Sequence, residues 1–551
     1  MSGAPPAPVS PAPSAVAAAT SAGGCCRLAL GAAGLIEVIS PFDPVTQAQL
    51  RAVRPPGEWR ARRHCWEFPL EASLALRQLL GRRFRIDAEL DEWMDWLEQP
   101  LPPLPAHRKL VAAADLERCL PDGRRLYAHQ RLAARWLLAR RGALLAHPMG
   151  LGKTLTALAA ARAMVRLADC RIAVIAPAGL HAHWRQEALA LGLQLELISW
   201  GRLPLSLPPA GTVLVVDEAH YAQNLSAART QALLRLARHP RLRAIWLLTG
   251  TPMKNGRPAQ LFPLLMAIGH PLGLNRLAFE QRYCQGHWRQ IGERRQWQAS
   301  GAERLEELQA LTRPLLLHRR KQDCLELPPK QRRFQAVDLS ATEGRGFQHL
   351  LQAKVNDYRR RAARGEVRHG AESLAMLTAL RQIGAQYKLP AARELVAELL
   401  RRQEAVVVFT AFVAAAELLQ QHLGGALITG RLKPAERQGE VNRFQCGETS
   451  LLVATFGSGG LGFNLHRAAH VVLIERPWTP GDAEQAEDRC HRIGMAGPLT
   501  SHWLQLGVAD QLVDGLITSK AERIALLLEG RQTSLRRRAL PAMVRELVDG
   551  W

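Results

Sequence analysis

The residues best suited to chemistry begin with a glycine-rich turn, MGLGKT at 149–154. This turn follows an apolar run at 143–147 and precedes a long helical pattern. Gly150 and Gly152 leave room for backbone N–H groups to approach phosphate oxygens closely. The helix that follows offers its positive N-terminus to the same anion. The turn therefore predicts a phosphate-binding loop between a strand and a helix.

Two side chains at the end of this turn would complete the site. We expect the Lys153 ammonium to reach the β- and γ-phosphates of a nucleotide and the Thr154 hydroxyl to bind magnesium. The strict phosphate-loop pattern has a glycine where this chain has His147. These residues alone are therefore also compatible with a chance match. The position of the turn between a strand and a helix favours the functional interpretation.

An acidic pair, Asp217-Glu218, ends the apolar run TVLVV at 212–216. Strand ends are where a parallel α/β sheet presents its ligand-binding groups. We expect Asp217 to hold magnesium and Glu218 to act as the general base toward the attacking water. The alternative, a solvated turn with a helix N-cap, suits an isolated Asp-Glu pair better than one that follows a phosphate loop.

The charge balance indicates a polyanionic partner. The chain of 551 residues has 72 Lys and Arg against 49 Asp and Glu, a formal net charge of +23. Nucleic acid is the first candidate, and an anionic membrane surface is the second. A generally basic surface, enriched in arginine by coding bias, is the competing explanation.

Cysteine usage and the length of the apolar runs bear on where in the cell the protein works. The 9 cysteines form no C-x-x-C pair, which argues against a zinc finger and against a disulfide framework. A reducing bacterial cytoplasm, with the protein associated with the nucleoid, is the expected location. No apolar run reaches the roughly 18 to 20 residues that span a bilayer, so no membrane partner is expected.

Short runs rich in Val, Ile and Leu alternate with helical patterns in two parts of the chain. Continuous apolar strands separated by helices predict parallel sheets covered on both faces. The fold class is therefore α/β, with two parallel-sheet lobes in tandem, a small N-terminal α+β module and a helical insertion between the lobes. The expected divisions are a disordered Ala/Pro-rich tail at 1–24, the module at 25–98, a linker at 99–122, lobe 1 at 123–335, the insertion at 336–395, lobe 2 at 396–530 and a basic tail at 531–551.

In this order and wording, MGLGKT and DEAH (217–220) resemble motifs I and II of helicase superfamily two. Further matches narrow the resemblance to the Swi/Snf-type branch, whose members have two RecA-like lobes. Gln130, in LYAHQRLAARWLL, is similar to the glutamine with which that family reads adenine. The segment 315–333 resembles the family's join between the lobes.

Two further segments carry the resemblance to motifs III and VI. LTGTP at 248–252, followed by Asn255, looks like motif III, which couples hydrolysis to lobe movement in that family. In the second lobe, 455–494 is nearly a continuous match to motifs V and VI. The residues to which the resemblance assigns coupling are Thr249, Gly250, Thr251 and Gln485.

Motif VI supplies the candidate arginine fingers. Arg489 and Arg492 stand with Gln485 and Asp488 at the family's Q-x-x-D-R-x-x-R spacing. Such arginines cross the cleft and neutralise charge on the γ-phosphate during hydrolysis. The resemblance thus implies that ATP lies between the lobes. Taken alone, this stretch would be an ordinary solvated helix face.

The same resemblance implies DNA contacts on both lobes. Small residues with free N–H groups suit phosphate binding, which is independent of base sequence. The candidate backbone contacts are Pro177 and Ala178 in motif Ia and Ser458, Gly459 and Gly460 in motif V. We therefore expect duplex or forked DNA as partner, no base specificity and a steep loss of affinity with salt.

The chain departs from the family pattern at several positions. The altered residues are His147 and Pro148 before the glycine turn, His129 and Tyr127 before Gln130, Gln223 after DEAH and Met495 after HRIG. No departure removes a predicted phosphate, magnesium or water ligand. They bear instead on base selectivity and turnover rate.

Within the branch, FEQRYC (279–284) and GRPAQLF (256–262) look most like the annealing-helicase group. The segment 34–84 distantly resembles that group's HARP module. A small adaptor, with Trp66 and Phe68 as ordinary core residues, is an equal alternative.

The resemblance implies a DNA-stimulated ATPase that translocates on DNA, with reannealing or remodelling favoured over unwinding. A strand-separating helicase is the nearest alternative. An ATP-driven remodeller of a protein–DNA complex such as stalled RNA polymerase, which would use the N-terminal module to bind a protein partner, is another. A binding module with an inactive nucleotide site is disfavoured by the intact ionisable residues.

Overall fold

The structure is a computed structural model. It describes residues 26–30, 35–54, 56–69, 72–88, 90–91, 94, 116, 120–167, 170–204, 211–239, 242–291, 294–364, 371–459 and 463–530. The tails expected at 1–24 and 531–551, nearly all of the linker up to residue 119, and Gly460 lie outside these described residues.

The N-terminal module is a five-stranded sheet in the order β3-β4-β2-β1-β5, with two helices. Neighbouring strands are antiparallel except for the parallel pair β1–β5. Its elements are β1 (Arg27–Leu30), β2 (Ile36–Ile39), α1 (Pro44–Ala52), β3 (Glu58–Arg60), β4 (Cys65–Phe68), α2 (Ser73–Leu80) and β5 (Arg85–Ile86).

The two aromatic residues of β4 belong to the core of this module. Phe68 is fully buried, and Trp66 is buried with its indole N–H donating to Gln47 Oε1 at 2.8 Å. Two of the arginines in this region are held in ion pairs, Arg60 with Glu67 and Arg63 with Glu67 and Glu37. The aromatic residues therefore fit the adaptor alternative, in which they are ordinary core residues.

Lobe 1 contains a six-stranded sheet in the order β13-β6-β10-β9-β7-β8, and every pair in it is parallel. Its strands are β6 (Gly142–Leu145), β7 (Arg171–Ala176), β8 (Glu196–Ser199), β9 (Thr212–Asp217), β10 (Leu242–Leu248) and β13 (Leu316–Leu317). The helices in this part of the chain are α3 (Ala128–Leu138), α4 (Lys153–Leu167), α5 (His181–Ala190), α6 (Ala228–Ala237), α7 (Phe262–Ala267), α8 (Arg276–Tyr283) and α9 (Leu305–Thr312).

A separate antiparallel hairpin stands between α8 and α9. It consists of β11 (His287–Ile291) and β12 (Arg294–Gln298), which pair only with each other among the described strands. Neither strand has the continuous apolar character of the lobe strands.

Lobe 2 contains a second parallel six-stranded sheet, in the order β14-β19-β18-β15-β17-β16. Its strands are β14 (Lys330–Ala336), β15 (Val406–Thr410), β16 (Ala426–Ile428), β17 (Leu451–Thr455), β18 (His470–Leu473) and β19 (Leu499–Gln505). Its helices, with the two that precede β15, are α10 (Ala341–Ala363), α11 (Ala371–Arg401), α12 (Val413–Leu423), α13 (Pro434–Gln445), α14 (Phe456–Gly459), α15 (Pro480–Cys490) and α16 (Gly507–Glu529).

Strand β15 shows why these sheets read as continuous apolar runs. Val406 and Val408 pack into one core cluster, while Val407 and Phe409 pack into another on the opposite face. Successive side chains of a strand point to opposite faces, so both faces must be apolar when helices cover both. The predicted fold class, two parallel-sheet α/β lobes in tandem, is confirmed.

The region between the lobes differs in detail from the expected boundaries. β14, within the last residues assigned to lobe 1, pairs along its whole length with β19 and so belongs to the sheet of lobe 2. The helical insertion expected at 336–395 contains α10 and continues through α11 to Arg401. Among the described helices, none is both long enough and apolar enough to cross a bilayer.

Candidate active site

The glycine turn adopts the conformation that its sequence predicts. Gly150 and Gly152 have φ values of +86° and +69°, in the left-handed region that favours glycine. A Cβ on Gly152 would lie 2.2 Å from Gln130 Nε2, so a side chain there would displace the Gln130 amide. α4 begins directly afterwards, at Lys153. A loop built in this way exposes backbone N–H groups at a helix N-terminus, as phosphate binding requires.

Lys153 is folded back onto its own loop. Its Nζ donates to the carbonyl oxygens of His147 at 2.9 Å and of Pro148 at 3.3 Å. Burial lowers the pKa of Lys153, and the charge of Arg492 acts in the same direction, against the carboxylates of the acidic pair. An anion at the loop would be the natural additional partner for this half-buried cation.

The acidic pair stands at the carboxyl end of β9. Asp217 is the last residue of that strand and is 7% exposed. Two buried tryptophans hold it: Trp184 Nε1 donates to Asp217 Oδ2 at 2.9 Å, and Trp200 Nε1 donates to the Asp217 carbonyl at 3.0 Å. The carboxylate therefore has a fixed orientation.

Glu218 follows in the left-handed region, with φ of +50°, which is uncommon for a residue other than glycine. Such strain persists only where the surrounding structure imposes it, and it often occurs at functional sites. Here the backbone N–H of Glu218 donates to Asp217 Oδ1 at 2.9 Å, which ties the two residues together.

The two carboxyl groups have different electrostatic environments. Burial and the adjacent Glu218 raise the pKa of Asp217. Burial also acts to raise the pKa of Glu218, but the hydrogen bond and charge of His220 and the charges of Lys153 and Arg489 lower it overall. Glu218 is thus held as a carboxylate, the form that a general base needs.

A chain of contacts leads from Glu218 to the motif III segment. His220 Nδ1 lies 3.1 Å from Glu218 Oε2 and 3.5 Å from Thr249 Oγ1. The Thr249 hydroxyl in turn accepts the backbone N–H of Thr251 at 3.1 Å. Gln223, one of the departures from the family pattern, donates to the Thr251 carbonyl at 2.7 Å. The predicted coupling residues 249–251 therefore lie next to the acidic pair.

Thr251 also meets lobe 2. A Cβ on Gly481, near the start of α15, would lie 2.4 Å from Thr251 Cγ2. Beside this contact, Lys254 Nζ forms an ion pair with Asp482 Oδ1 at 2.9 Å. The motif III segment thus joins the acidic pair of lobe 1 to the helix of lobe 2 that carries Arg489 and ends just before Arg492. Gln485 is half-buried on the same helix.

The two arginines enter the cleft from lobe 2, Arg492 near the glycine turn and Arg489 near Glu218. Arg489 is 1% exposed, and burial and the charge of Arg492 lower its pKa. Arg492 Cγ lies 3.8 Å from the Cβ position of Gly150, and its Nε donates to the Asp488 carbonyl at 2.7 Å. Charges on Lys153, Glu218 and both arginines are close enough to shift one another's pKa. The structure therefore brings the predicted site residues of both lobes together.

One residue of this cleft was missed from the sequence. Lys321, from the segment between the lobes, places its Cε 3.3 Å from the Cβ position of Gly150. Its Nζ donates to the His491 carbonyl at 2.5 Å and lies 3.1 Å from Asp488 Oδ1. A lone lysine in a charged linker has no local signal of such contacts; only its place in the family join could have drawn attention to it.

A cavity of about 400 Å³ opens beside the turn. It is lined by Tyr127, by residues 324–328 and by residues 492–495. Gln130 lies at this edge of the glycine turn; its Oε1 accepts the Tyr127 N–H at 3.0 Å and its Nε2 donates to the Leu151 carbonyl at 3.4 Å. The position predicted to read adenine is therefore close to a space large enough for part of a nucleotide.

The His147 departure leaves a buried imidazole under the loop. His147 is fully buried, and its ring nitrogens have no hydrogen-bond partner among the described residues. Burial, with the charges of Lys153 and His318, lowers its pKa to about 2, so the ring is neutral. The neutral ring adds no charge to the loop, and His147 contributes its carbonyl to Lys153.

The candidate DNA contacts are placed less uniformly. Ala178 is exposed just after β7, whereas Pro177 is buried. Ser458 is buried, and its hydroxyl donates to the Ile428 carbonyl at 2.9 Å. The Ser458 side chain is thus used to hold lobe 2, and a DNA contact there would have to come from backbone groups. Gly459 ends α14.

Comparison with known families agrees with this arrangement. Residues 210–389 match the SNF2-related domain, and residues 388–494 match the helicase conserved C-terminal domain. The chain thus has an SNF2-related domain followed by a helicase C-terminal domain, the two domains of a Swi/Snf-type helicase. The first match begins after the glycine turn, and the two matches together include the acidic pair, motif III and both arginines.

Several curated proteins are similar to the chain. It is 29% identical over 433 residues to the DNA annealing helicase and endonuclease ZRANB3 of Mus musculus, covering 71% of this chain and 40% of that protein. It is 25% identical over 478 residues to the putative ATP-dependent helicase/translocase YwqA of Bacillus subtilis (strain 168), covering 75% of this chain and 50% of that protein. The chain thus spans half the length, or less, of these two relatives.

Among solved structures, the chain resembles the Sulfolobus solfataricus SWI2/SNF2 ATPase core in complex with dsDNA. The two are 20% identical, and the match covers 73% of this chain and 93% of that chain with a TM-score of 0.34.

Proposed function

We propose that the chain is a DNA-dependent ATPase that translocates on duplex or forked DNA and remodels or reanneals it. The observation that carries this proposal is that Lys153 of lobe 1 and Arg489 and Arg492 of lobe 2 lie around Glu218. Neither lobe has both sets of groups, so hydrolysis depends on how the lobes meet. This dependence is what links a chemical step to movement.

The residues divide the work as follows. The glycine turn and Lys153 bind the β- and γ-phosphates of ATP, and Glu218 accepts a proton from the attacking water. Arg489 and Arg492 neutralise the charge that develops on the γ-phosphate. Thr251, which contacts α15, couples the acidic pair to lobe 2.

A magnesium ion fits the same site. Asp217 is a buried carboxylate whose pKa is raised by burial and by the neighbouring Glu218, so a divalent cation would relieve the repulsion within the pair. Thr154, the second residue of α4, would add its hydroxyl. Bound there, magnesium would neutralise phosphate charge.

DNA as the partner is supported by the net charge of +23 and by the names of the relatives, one of which is a DNA annealing helicase. Reannealing is favoured over strand separation on that similarity. A cytoplasmic, nucleoid-associated location and a protein partner for the N-terminal module are further parts of the proposal, based on the sequence alone.

The test is the steady-state rate of ATP hydrolysis by the full chain with no nucleic acid, single-stranded DNA, blunt duplex, forked duplex and RNA. We expect the largest stimulation with duplex or forked DNA and none in Lys153→Ala. Equal rates with and without every DNA would contradict a DNA-dependent motor. A strand-displacement assay on the same fork separates translocation from unwinding, since a translocase that reanneals releases no strand.

A further inference from the structure

The antiparallel hairpin at 287–298, here called the Trp hairpin, has aromatic and basic side chains that take no part in the ATP site. Its two strands pair only with each other among the described strands, so they complete neither parallel sheet. A two-stranded hairpin is at best marginally stable in water on its own. The hairpin is therefore either held by contacts with the rest of the lobe or present because it has a function.

Hydrogen bonds at its base hold the Trp hairpin in place. Below the hairpin, Gly301 N donates to the Cys284 carbonyl and Glu303 N donates to the Tyr283 carbonyl, both at 2.9 Å. Tyr283 is buried, and its hydroxyl donates to Glu307 Oε1 at 2.6 Å. Arg282 holds the same carboxylate with two bonds of 2.7 and 2.8 Å. Glu307 belongs to α9, so the base of the hairpin is fastened to a helix.

One face of the ribbon combines aromatic and basic groups. Trp288 pairs across the strands with Trp297, and Gln290 pairs with Arg295. Since residues two apart share a face of a strand, these four side chains lie on the same side. The two indole rings are 5.4 Å apart in an edge-to-face arrangement that leaves Trp288 61% exposed. One ring thus braces the other, and the outer ring presents a surface to solvent.

The charges around this face are positive. The segment 287–298 contains three arginines and one glutamate. Arg295, on this face, and Arg289, on the opposite face, are exposed, and neither has an ion-pair partner among the described residues. An exposed indole alone would be unremarkable on a protein surface. Next to the uncompensated guanidinium group of Arg295 on a braced ribbon, it matches a ligand with both phosphates and planar faces.

We propose that the Trp hairpin binds unpaired bases of a DNA strand next to a duplex, with Trp288 stacking on a base and Arg295 contacting the backbone. The inference rests on the proposed DNA-dependent function and adds a site on the chain for the unpaired bases of a forked DNA. Bases inside a duplex have their faces covered by their neighbours, so an exposed indole selects single-stranded arms. Stacking tolerates any base, which fits a motor without sequence specificity.

The test compares two DNA molecules and four variants of the full chain. One DNA is a blunt duplex, and the other is the same duplex with a short single-stranded arm that carries 2-aminopurine beside the junction. Trp288→Ala and Arg295→Ala remove the proposed contacts, and Trp288→Phe preserves an aromatic face. Gln296→Ala, on the opposite face of the same ribbon, is the matched control. Fluorescence anisotropy gives the affinities, and 2-aminopurine quenching reports stacking.

We expect Trp288→Ala to weaken binding of the armed DNA by about tenfold and to abolish the quenching, with little change for the blunt duplex. Trp288→Phe should retain most of the quenching, Arg295→Ala should weaken the armed DNA more than the duplex, and Gln296→Ala should resemble the wild type. A loss of similar size on both DNAs, or none on either, would overturn the inference; the latter would leave the hairpin as a protein-binding surface.

A failure of the DNA-dependent function would give a different result from a failure of the hairpin inference alone. If no DNA stimulates ATP hydrolysis by the wild-type chain, the DNA-dependent function and the hairpin inference fall together. If the duplex stimulates hydrolysis and Trp288→Ala binds the armed DNA as the wild type does, only the hairpin inference fails.

Discussion

The close contact between Gly481 and Thr251 allows a sharp test of how the lobes communicate. A methyl group on residue 481 would lie 2.4 Å from Thr251 Cγ2, well inside the roughly 3.4 Å at which ordinary contact begins. The Gly481→Ala variant must therefore open this part of the cleft by about 1 Å. That displacement moves α15, and with it both arginines, away from the acidic pair.

The cost of such overpacking is typically about 1–3 kcal/mol, which corresponds to about a 5- to 150-fold loss of the closed arrangement. We expect kcat for DNA-stimulated ATP hydrolysis to fall within that range. The affinity for ATP should change less, because the glycine turn and Lys153 belong to lobe 1. The melting temperature, measured in parallel, shows whether the variant is folded.

A second substitution makes the reasoning refutable. The clashing atom is Thr251 Cγ2, and the next nearest atom, Thr251 Cβ, is at 3.5 Å. Thr251→Ser removes the methyl and keeps the hydroxyl, so the Gly481→Ala/Thr251→Ser double variant should recover most of the lost rate. Wild-type kcat in Gly481→Ala, or a double variant as slow as the single one with Thr251→Ser alone active, would show that this contact does not control catalysis.

Three further predictions concern single residues. Lys153→Ala should lose ATP binding and hydrolysis together, as measured by nucleotide titration and steady-state rates; retained affinity would contradict the phosphate contact. Arg489→Ala should bind ATP nearly as well as the wild type and turn it over at least about a hundredfold more slowly, since arginine fingers act on the transition state; a change confined to KM would be the opposite result. Lys388→Ala should destabilise lobe 2 by about 3–5 kcal/mol in denaturant unfolding, because it leaves Asp510 as a buried unpaired charge; a loss below about 1 kcal/mol would contradict this.

The parallel strands were predictable because their signal is local. In β9, all six residues from Thr212 to Asp217 are buried, and a buried strand needs a continuous apolar run that can be recognised in the sequence. The glycine turn and the acidic pair were predictable for the same reason. Each has its chemistry within a few residues, placed at a strand end.

Other elements had no such signal. β14 is mostly exposed and reads KQRRFQA, so it lacks the continuous apolar run of a buried strand and was assigned to the end of lobe 1. It is an edge strand held by backbone pairing to β19 and by Lys330 and Arg332, which bind Glu487. The Trp hairpin was overlooked because its alternating pattern has no apolar core face.

Contacts between the lobes could not be predicted from either segment alone. Lys254 meets Asp482, and Lys321 meets Asp488, over separations of more than 150 residues. An isolated lysine has no periodicity, and its partner depends on how the sheets meet. Family spacing identified the arginines, whereas the groups that hold their helix had to come from the structure.

The most direct test of a shared catalytic site is turnover by Glu218→Gln with ATP and saturating duplex DNA, with ATP affinity measured on the same preparation. The substitution keeps the size of the side chain and removes its basicity. We expect near wild-type affinity and a fall in turnover of at least about a hundredfold, the usual contribution of a general base. Hydrolysis at the wild-type rate would contradict the assignment of this cleft as the site of ATP hydrolysis.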